Sequence, residues 1–280
     1  MLELTEISLH LPQLPDYLRG LRILQVGDLH IRGYGQKERH LRRIISQGCD
    51  LLIFTGDFCH QLRFSNPFAT ETYEPLRVGL SRQGLIFAAH TDLALEVCEK
   101  LLEECSPTLG AFAVQGNHDP NEFMQHLPRL GVTTLTNETQ QVHVSNGSYF
   151  NLCGLRGYGR STIDIAQTML TTEPALFTIA VCHYPEIAMP LAGAGADLIL
   201  SGHTHGGQIC LPNGRPLVTH SFSGHQYATG LERIGSSFIY TTRGLGCSVI
   251  PIRLFCPPEI TRITLQHGDH GETTIEATRL

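Results

Sequence analysis

The stretch LILSGHTHGGQICLP, residues 198–212, joins a short apolar run to a turn that holds two histidines. Leu198 to Leu200 have the composition of a buried β-strand, and the glycines that follow are typical of a loop after a strand. His203 and His205 lie two residues apart on this loop. Two imidazoles at the end of one strand raise the hypothesis of a metal site.

Five further apolar runs break in the same way at Gly, Asn or Asp, and each predicts a strand followed by a loop. Two segments between these runs, 36–47 and 91–105, repeat apolar residues at helical spacing. Alternating strands and helices predict an α/β or mixed α+β fold rather than an all-β barrel. The five runs are LRILQVGDLH (21–30), DLLIFTGDF (50–58), GAFAVQGNHD (110–119), FTIAVCHYP (177–185) and SSFIYTTRG (236–244).

Residues that bind metals follow five of the six predicted strands. In sheets of this kind, ligand sites collect at the carboxyl ends of the strands, so these side chains are expected to share one pocket. In an extended backbone, the side chains of residues i and i+2 point to the same side. The two metal-binding residues of each DxH and HxH motif are therefore expected to face the same ion or two adjacent ions. A lone DxH, GD or His is more often a turn or a structural residue. All of these motifs in this order, each after its own strand, are far less often a coincidence. The set is Asp28 with His30, Asp57, Asn117 with His118 and Asp119, His183, and His203 with His205.

Composition limits the class of protein. The chain has 280 residues, of which 41% are apolar, enough for one large domain with a buried core. A formal net charge of -6 gives no general attraction to nucleic acid or anionic membrane, so phosphate recognition must be local. Nine scattered cysteines without a CxxC pair argue against a disulfide scaffold or a zinc ribbon. No apolar stretch approaches the roughly 18 to 20 residues of a membrane span, and no signal-peptide layout is recognised.

The ordered motifs DxH, GD, GNHD, H and GHTH resemble those of the calcineurin-like metallophosphoesterases, over about residues 21–265. The segments GHTHGGQICLP, TTRGLG (241–246) and PIRLFCPPEI (251–260) are similar to a subgroup of bacterial membrane-associated phosphohydrolases. This resemblance implies a four-layer αββα sandwich, with two mixed β-sheets flanked by helices. Many relatives have Ser where this chain has Gly27, a position that is not a ligand. We expect one domain over residues 1–280, with an inserted segment at about 59–90.

The resemblance also implies a site with two divalent metal ions. Asp57 would bridge them, and water activated by the ion pair would attack phosphorus directly. His118 would donate a proton to the departing oxygen, with its imidazole oriented by Asp119. The carboxylate, amide and imidazole donors favour Mn²⁺, with Fe, Mg and Zn left open. The implied ligands are Asp28, His30 and His205 for one ion and Asn117, His183 and His203 for the other.

Some members of the subgroup hydrolyse UDP-2,3-diacylglucosamine to UMP and 2,3-diacylglucosamine 1-phosphate in lipid A synthesis, and we expect this substrate here. The apolar segment 59–90 is then either an acyl-chain lid or a structural insert. Alternative substrates are another phospholipid, a cell-wall phosphate or a small nucleotide, and a second alternative is a non-catalytic binding scaffold.

The expected partner is a phosphorylated small molecule or glycolipid, and long nucleic acid is disfavoured because basic and aromatic residues are not interleaved. A peripheral position at the cytoplasmic face of the inner membrane would suit an amphiphilic substrate, and plain cytosolic residence is the alternative. Arg243 has two interpretations, a phosphate contact or an ion pair with a carboxylate. The oligomeric state is left open, and four histidines have no assigned role: His60, His90, His220 and His225.

Overall fold

The computed structural model describes residues 2–31, 48–60, 82–144, 147–157, 163–219, 221, 224–248 and 250–279, with only the backbone for 82–90. The predicted helix over residues 36–47 lies outside this part of the chain, as do residues 61–81 of the predicted insert. That residues 59–90 form an insert therefore stays a prediction.

Thirteen strands form in the described residues, and all six predicted runs are among them, as β2, β3, β4, β8, β9 and β11. The strands are β1 Glu3–Leu11, β2 Arg22–Val26, β3 Leu51–Phe54, β4 Ala111–Val114, β5 Val132–Leu135, β6 Glu138–His143, β7 Tyr149–Gly154, β8 Thr178–Val181, β9 Leu198–Ser201, β10 Gly230–Ile234, β11 Ser237–Thr241, β12 Glu259–His267 and β13 Thr274–Arg279.

The strands make two mixed sheets. The seven-stranded sheet has the order β13-β1-β12-β2-β3-β4-β5, and the six-stranded sheet has the order β10-β11-β9-β8-β7-β6. Strands β2, β3 and β4 run parallel in the first sheet, and β7, β8, β9 and β11 run parallel in the second. Each sheet carries antiparallel strands toward its edges, such as β13 and β10.

The two sheets pack face to face, because successive residues of a strand point to opposite faces. In β3, Leu51 and Ile53 belong to the core between the sheets, together with Ile179 and Leu200 of the second sheet. Leu52 and Phe54 point outward and belong to a separate apolar cluster. One short strand thus contributes to two layers of the core.

Helices cover the outer faces of both sheets. The longest, α1 (Arg82–Cys105), places Ala94, Cys98 and Leu101 in the cluster outside the first sheet, at the spacing of one helical face. The predicted helix over residues 91–105 is the second part of α1. Three shorter helices follow, α2 (Asn121–Met124), α3 (Ile165–Leu170) and α4 (Ala188–Gly193).

Helices α3 and α4 pack outside the second sheet through Met169 and Leu191. The four-layer αββα sandwich is therefore confirmed. Within the described ranges, no helix combines the length and the apolar composition that crossing a bilayer would need.

Candidate metal centre

The predicted site residues lie at the carboxyl ends of strands from both sheets. Loops after β2, β3 and β4 supply Asp28, Asp57 and Asn117, and loops after β8 and β9 supply His183 and His203. Backbone hydrogen bonds between neighbouring segments continue beyond the strand ends. Asp28 N–H donates to Gly56 O at 3.0 Å, and Thr242 N–H donates to Ser201 O at 3.0 Å. The side chain of Gln25 joins the sheets by donating to Ser201 O at 2.9 Å. The strand ends of both sheets thus enclose one pocket.

A first group of donors contains Asp28, His30, Asp57 and His205, all buried, with one ligand atom from each lying within 4.8 Å of the others. His30 Nε2 lies 3.1 Å from His205 Nε2 and 3.5 Å from Asp57 Oδ2. His205 Nε2 is 3.7 Å from Asp28 Oδ1. Two carboxylates and two imidazoles converging on one point could hold a divalent cation.

A second group shares Asp57 with the first and adds His183 and His203, again with donor atoms within 4.8 Å. His183 Nε2 lies 3.4 Å from Asp57 Oδ2, 3.1 Å from His203 Nδ1 and 2.9 Å from Asn117 Oδ1. The other ring nitrogen, His183 Nδ1, donates to Thr55 O at 2.8 Å, because a carbonyl can only accept. This bond fixes the tautomer that leaves Nε2 as a ligand atom.

Five of these donors have a left-handed backbone, which non-glycine residues seldom adopt. The values of φ are 48° at Asp28, 40° at His30, 56° at Asp57, 72° at His203 and 53° at His205. The premise that the DxH and HxH motifs are extended is therefore wrong, since a sharp turn follows each strand. Asp28 and His30 still fall in the same donor group, whereas His203 and His205 fall in different groups.

The electrostatics of the pocket favour a positive charge between the carboxylates. Burial lowers the pKa of His30 to about 3 and raises the pKa of Asp28 to about 7. Burial also opposes ionisation of Asp57, yet the neighbouring imidazoles, His183 first and then His118 and His30, hold the pKa of Asp57 well below its usual value. In turn, burial lowers the pKa of His183, but Asp57 raises it to about 9. The pocket therefore suits a cation, and carboxylate, amide and imidazole donors fit a divalent ion pair.

His118 and Asp119, the predicted proton donor and its partner, both form hydrogen bonds with Asp57. The His118 ring lies 4.9 Å from the His30 ring between centroids, and the residue as a whole is partly exposed. Its backbone N–H donates to Asp57 Oδ1 at 2.7 Å. Asp119 is fully buried and accepts from the N–H groups of Asp57, Gly116 and Cys59 at 2.7, 3.0 and 3.0 Å. That Asp119 orients the His118 imidazole stays a prediction.

Two residues at the site were not assigned from the sequence. The buried ring of His60 lies 5.7 Å from the His30 ring. The signal that could have found it is its position three residues after Asp57 in the chain. The guanidinium of Arg253 donates to the carbonyls of Arg243, Gly246 and His205 at 2.7, 2.6 and 3.2 Å. It thereby joins the loop after β11 to the loop after β9, which carries His205 of the first donor group.

The remaining residues singled out in the sequence belong to neither donor group or lie outside the described part. Arg243 pairs with Glu259 and Glu3 at 3.0 Å each, so the ion-pair interpretation is confirmed. His225 is exposed, and His220 and the side chain of His90 lie outside the described residues.

Comparison with known proteins agrees with this geometry. Residues 21–207 match the calcineurin-like phosphoesterase family. The chain is 30% identical to the uncharacterized metallophosphoesterase YkuE of Bacillus subtilis, over 95% of this chain and 86% of YkuE. It is 33% identical to the phosphodiesterase YaeI of Escherichia coli, over 59% of this chain and 60% of YaeI.

A third relative is the UDP-2,3-diacylglucosamine pyrophosphatase LpxG of Chlamydia muridarum, which is 27% identical over 93% of this chain and 88% of LpxG. The match to the family covers β2 to the GHTH turn, which includes every donor described above. The chain therefore belongs to the calcineurin-like phosphoesterase family and is a metal-dependent phosphoric ester hydrolase.

Proposed function

We propose that this hydrolase cleaves the pyrophosphate of UDP-2,3-diacylglucosamine, releasing UMP and 2,3-diacylglucosamine 1-phosphate. The observation that carries the hydrolytic part is the pair of buried donor groups that share Asp57. The substrate part is supported by the similarity to LpxG, which extends over 93% of the chain.

The donor groups suggest how the chain would hold its metals. Asp28, His30 and His205 would bind one ion, and Asn117, His183 and His203 the other, with Asp57 between them. Mn²⁺ is the ion we propose, because the donors are oxygen and imidazole nitrogen without thiolate. When bound, the ion pair supplies Lewis acidity and makes water nucleophilic at neutral pH.

The residues of the GNHD segment would prepare the site for the departing group. Asp57 Oδ1 is held by the backbone N–H of His118, while Oδ2 faces His30 and His183. His118 is partly exposed next to His30, and its imidazole would give a proton to the oxygen that leaves phosphorus. In this substrate, that oxygen belongs to one of the two phosphates of the pyrophosphate bridge.

The experiment is product analysis by mass spectrometry after incubation of the Mn²⁺-loaded protein with UDP-2,3-diacylglucosamine. We expect UMP and the lipid 1-phosphate in equal amounts. The matched control is Asp57→Asn, which removes the shared carboxylate charge at nearly constant volume and should yield neither product. Failure of the wild type on this lipid, in a preparation that hydrolyses bis(4-nitrophenyl) phosphate, would reject the substrate and retain the hydrolase.

A second candidate substrate is a simpler phosphodiester, on a phospholipid, a cell-wall polymer or a small nucleotide. The similarity to the phosphodiesterase YaeI over 174 residues favours it. The same mass-spectrometric assay, run on a panel of these three diester classes, separates the two candidates. Turnover of a diester with no UMP formed from the diacylglucosamine nucleotide would select the second.

A further inference from the structure

The exposed apolar side chains of this protein are concentrated on one surface. Ten large apolar residues are substantially exposed in the described part of the chain, and seven of them come from residues 211–218 and 250–255. We call these two segments the apolar surface. Soluble proteins seldom leave large contiguous apolar patches exposed unless they bind something there.

Hydrogen bonds join the two segments into one fixed surface. Cys210 N–H donates to Leu254 O, and Leu254 N–H donates to Gln208 O, both at 2.9 Å. Leu217 N–H donates to Ile209 O at 3.0 Å, and Gln208 Nε2 donates to Ile250 O at 3.2 Å. The backbone that carries the exposed side chains is therefore hydrogen-bonded between the two segments. These bonds hold the side chains in position before any other molecule binds.

The apolar surface is continuous with the metal centre. A cleft of about 340 Å³ is lined by Leu217, Val218 and Ile250 of the two segments, and also by Thr204 and His205. His205 is also a donor of the first metal group. The cleft and the metal centre therefore share His205.

The charge around this surface differs from that of the whole chain. The protein has a net charge of -6, yet residues 206–231 and 244–258 contain no Asp or Glu. Arg215 is exposed within the first segment, between Leu211 and Leu217. Apolar side chains with a nearby arginine, on segments that contain no Asp or Glu, match an anionic lipid surface, which has acyl chains below negative headgroups.

We propose that residues 211–218 and 250–255 dock the protein on an anionic bilayer and that the cleft admits an acyl chain of the lipid being hydrolysed. This inference rests on the proposed function and places the acyl site on these segments rather than on residues 59–90. A second copy of the chain is a poorer occupant, since it would cover the cleft and close that approach to His205.

The test measures cosedimentation of the metal-loaded protein with vesicles of phosphatidylcholine mixed with phosphatidylglycerol, and with vesicles of phosphatidylcholine alone. The docking variant is Ile252→Ser/Leu254→Ser, and the control variant is Met189→Ser/Ile275→Ser. The exposed fractions match, at 55% and 50% in the docking pair and 58% and 52% in the control pair. Only the docking pair belongs to the apolar surface.

We expect the wild type and the control variant to bind the mixed vesicles, and the docking variant to need about tenfold more lipid for half-binding, from the loss of buried apolar area. Arg215→Glu provides a second variant, which should weaken binding to the mixed vesicles only. Equal binding by all variants, or no binding by the wild type, would overturn the proposal. So would a stable dimer in light scattering that the docking variant dissociates, because the surface would then belong to a second copy.

Binding is measured without substrate, so it is independent of turnover. If the wild type binds the vesicles but does not hydrolyse UDP-2,3-diacylglucosamine, the proposed substrate fails and the docking surface stands. If it hydrolyses the lipid in detergent but does not bind vesicles, the docking surface fails and the proposed substrate stands.

Discussion

Asp119 acts on the backbone around the metal centre. Its carboxylate is buried and accepts three N–H groups, from Asp57, Gly116 and Cys59, which belong to the loops after β3 and β4. Hydrogen bonds to a charged acceptor are stronger than neutral ones. Asp119 therefore fixes the position of Asp57, the residue that both donor groups share.

We predict that Asp119→Asn lowers the free energy of unfolding by about 2 kcal/mol, since an amide nitrogen would face a backbone N–H and at least one charged hydrogen bond would be lost. The affinity for metal should fall as well, because the hydrogen bond that positions the backbone of Asp57 is weakened. Urea denaturation and metal content by mass spectrometry measure the two effects. If Asp119 acts only through the His118 imidazole, both quantities will equal those of the wild type and only turnover will fall.

His118→Ala separates proton donation from metal binding, because the backbone N–H that holds Asp57 is retained. We expect full metal content and a loss of about 10²- to 10⁴-fold in kcat on an alkyl phosphodiester, whose leaving group needs a proton. The loss on bis(4-nitrophenyl) phosphate should be much smaller. Equal losses on the two esters would remove His118 from the role of general acid.

At the scale of elements, the sharp turns after the strands determine how closely the loops approach. Gly116 is the clearest case, because a Cβ atom there would collide with the backbone nitrogen and Oδ1 of Asp57. Gly193, at the end of α4, provides the contrast, since a Cβ atom would meet nothing within 4 Å. The first glycine is required by the metal centre, and the second is not.

We predict that Gly116→Ala displaces Asp57 and lowers Mn²⁺ affinity at least about tenfold, the loss typical when support of a ligand is removed. Gly193→Ala should retain wild-type affinity and stability. Calorimetric titration of both variants with Mn²⁺ provides the comparison. Wild-type affinity in Gly116→Ala would show that the two loops can separate without cost to the site.

The sequence predicted the strands that end at the site better than those at the sheet edges. The run at Leu51–Phe54 is continuously apolar because both faces are buried, and such a run is recognisable locally. Strand β13 is exposed along its length and pairs with β1, which lies more than 260 residues earlier in the chain. The local sequence pattern therefore says little about whether β13 forms or which strand it pairs with. The left-handed turns at Asp28 and His203 were also missed, since tertiary packing overrides the usual preference against them.

At the scale of the whole molecule, the metal centre connects the two sheets. Asp28, His30 and Asp57 come from loops of the first sheet, while His183 and His205 come from loops of the second. A cation bound by both sets would draw the open ends of the sandwich together. Metal binding and global stability are therefore expected to be coupled.

We predict that Mn²⁺ raises Tm and that a chelator lowers it. An ion at 100 times its Kd stabilises the folded state by about 2.7 kcal/mol, which corresponds to roughly 5 °C for a chain of this size. Calorimetric scans with added Mn²⁺ and with excess chelator measure the shift. Asp57→Asn is the control, because it loses the carboxylate shared by both groups and its Tm should respond weakly to either treatment. An unchanged Tm in the wild type, at Mn²⁺ concentrations that support turnover, would contradict the coupling of metal binding to stability.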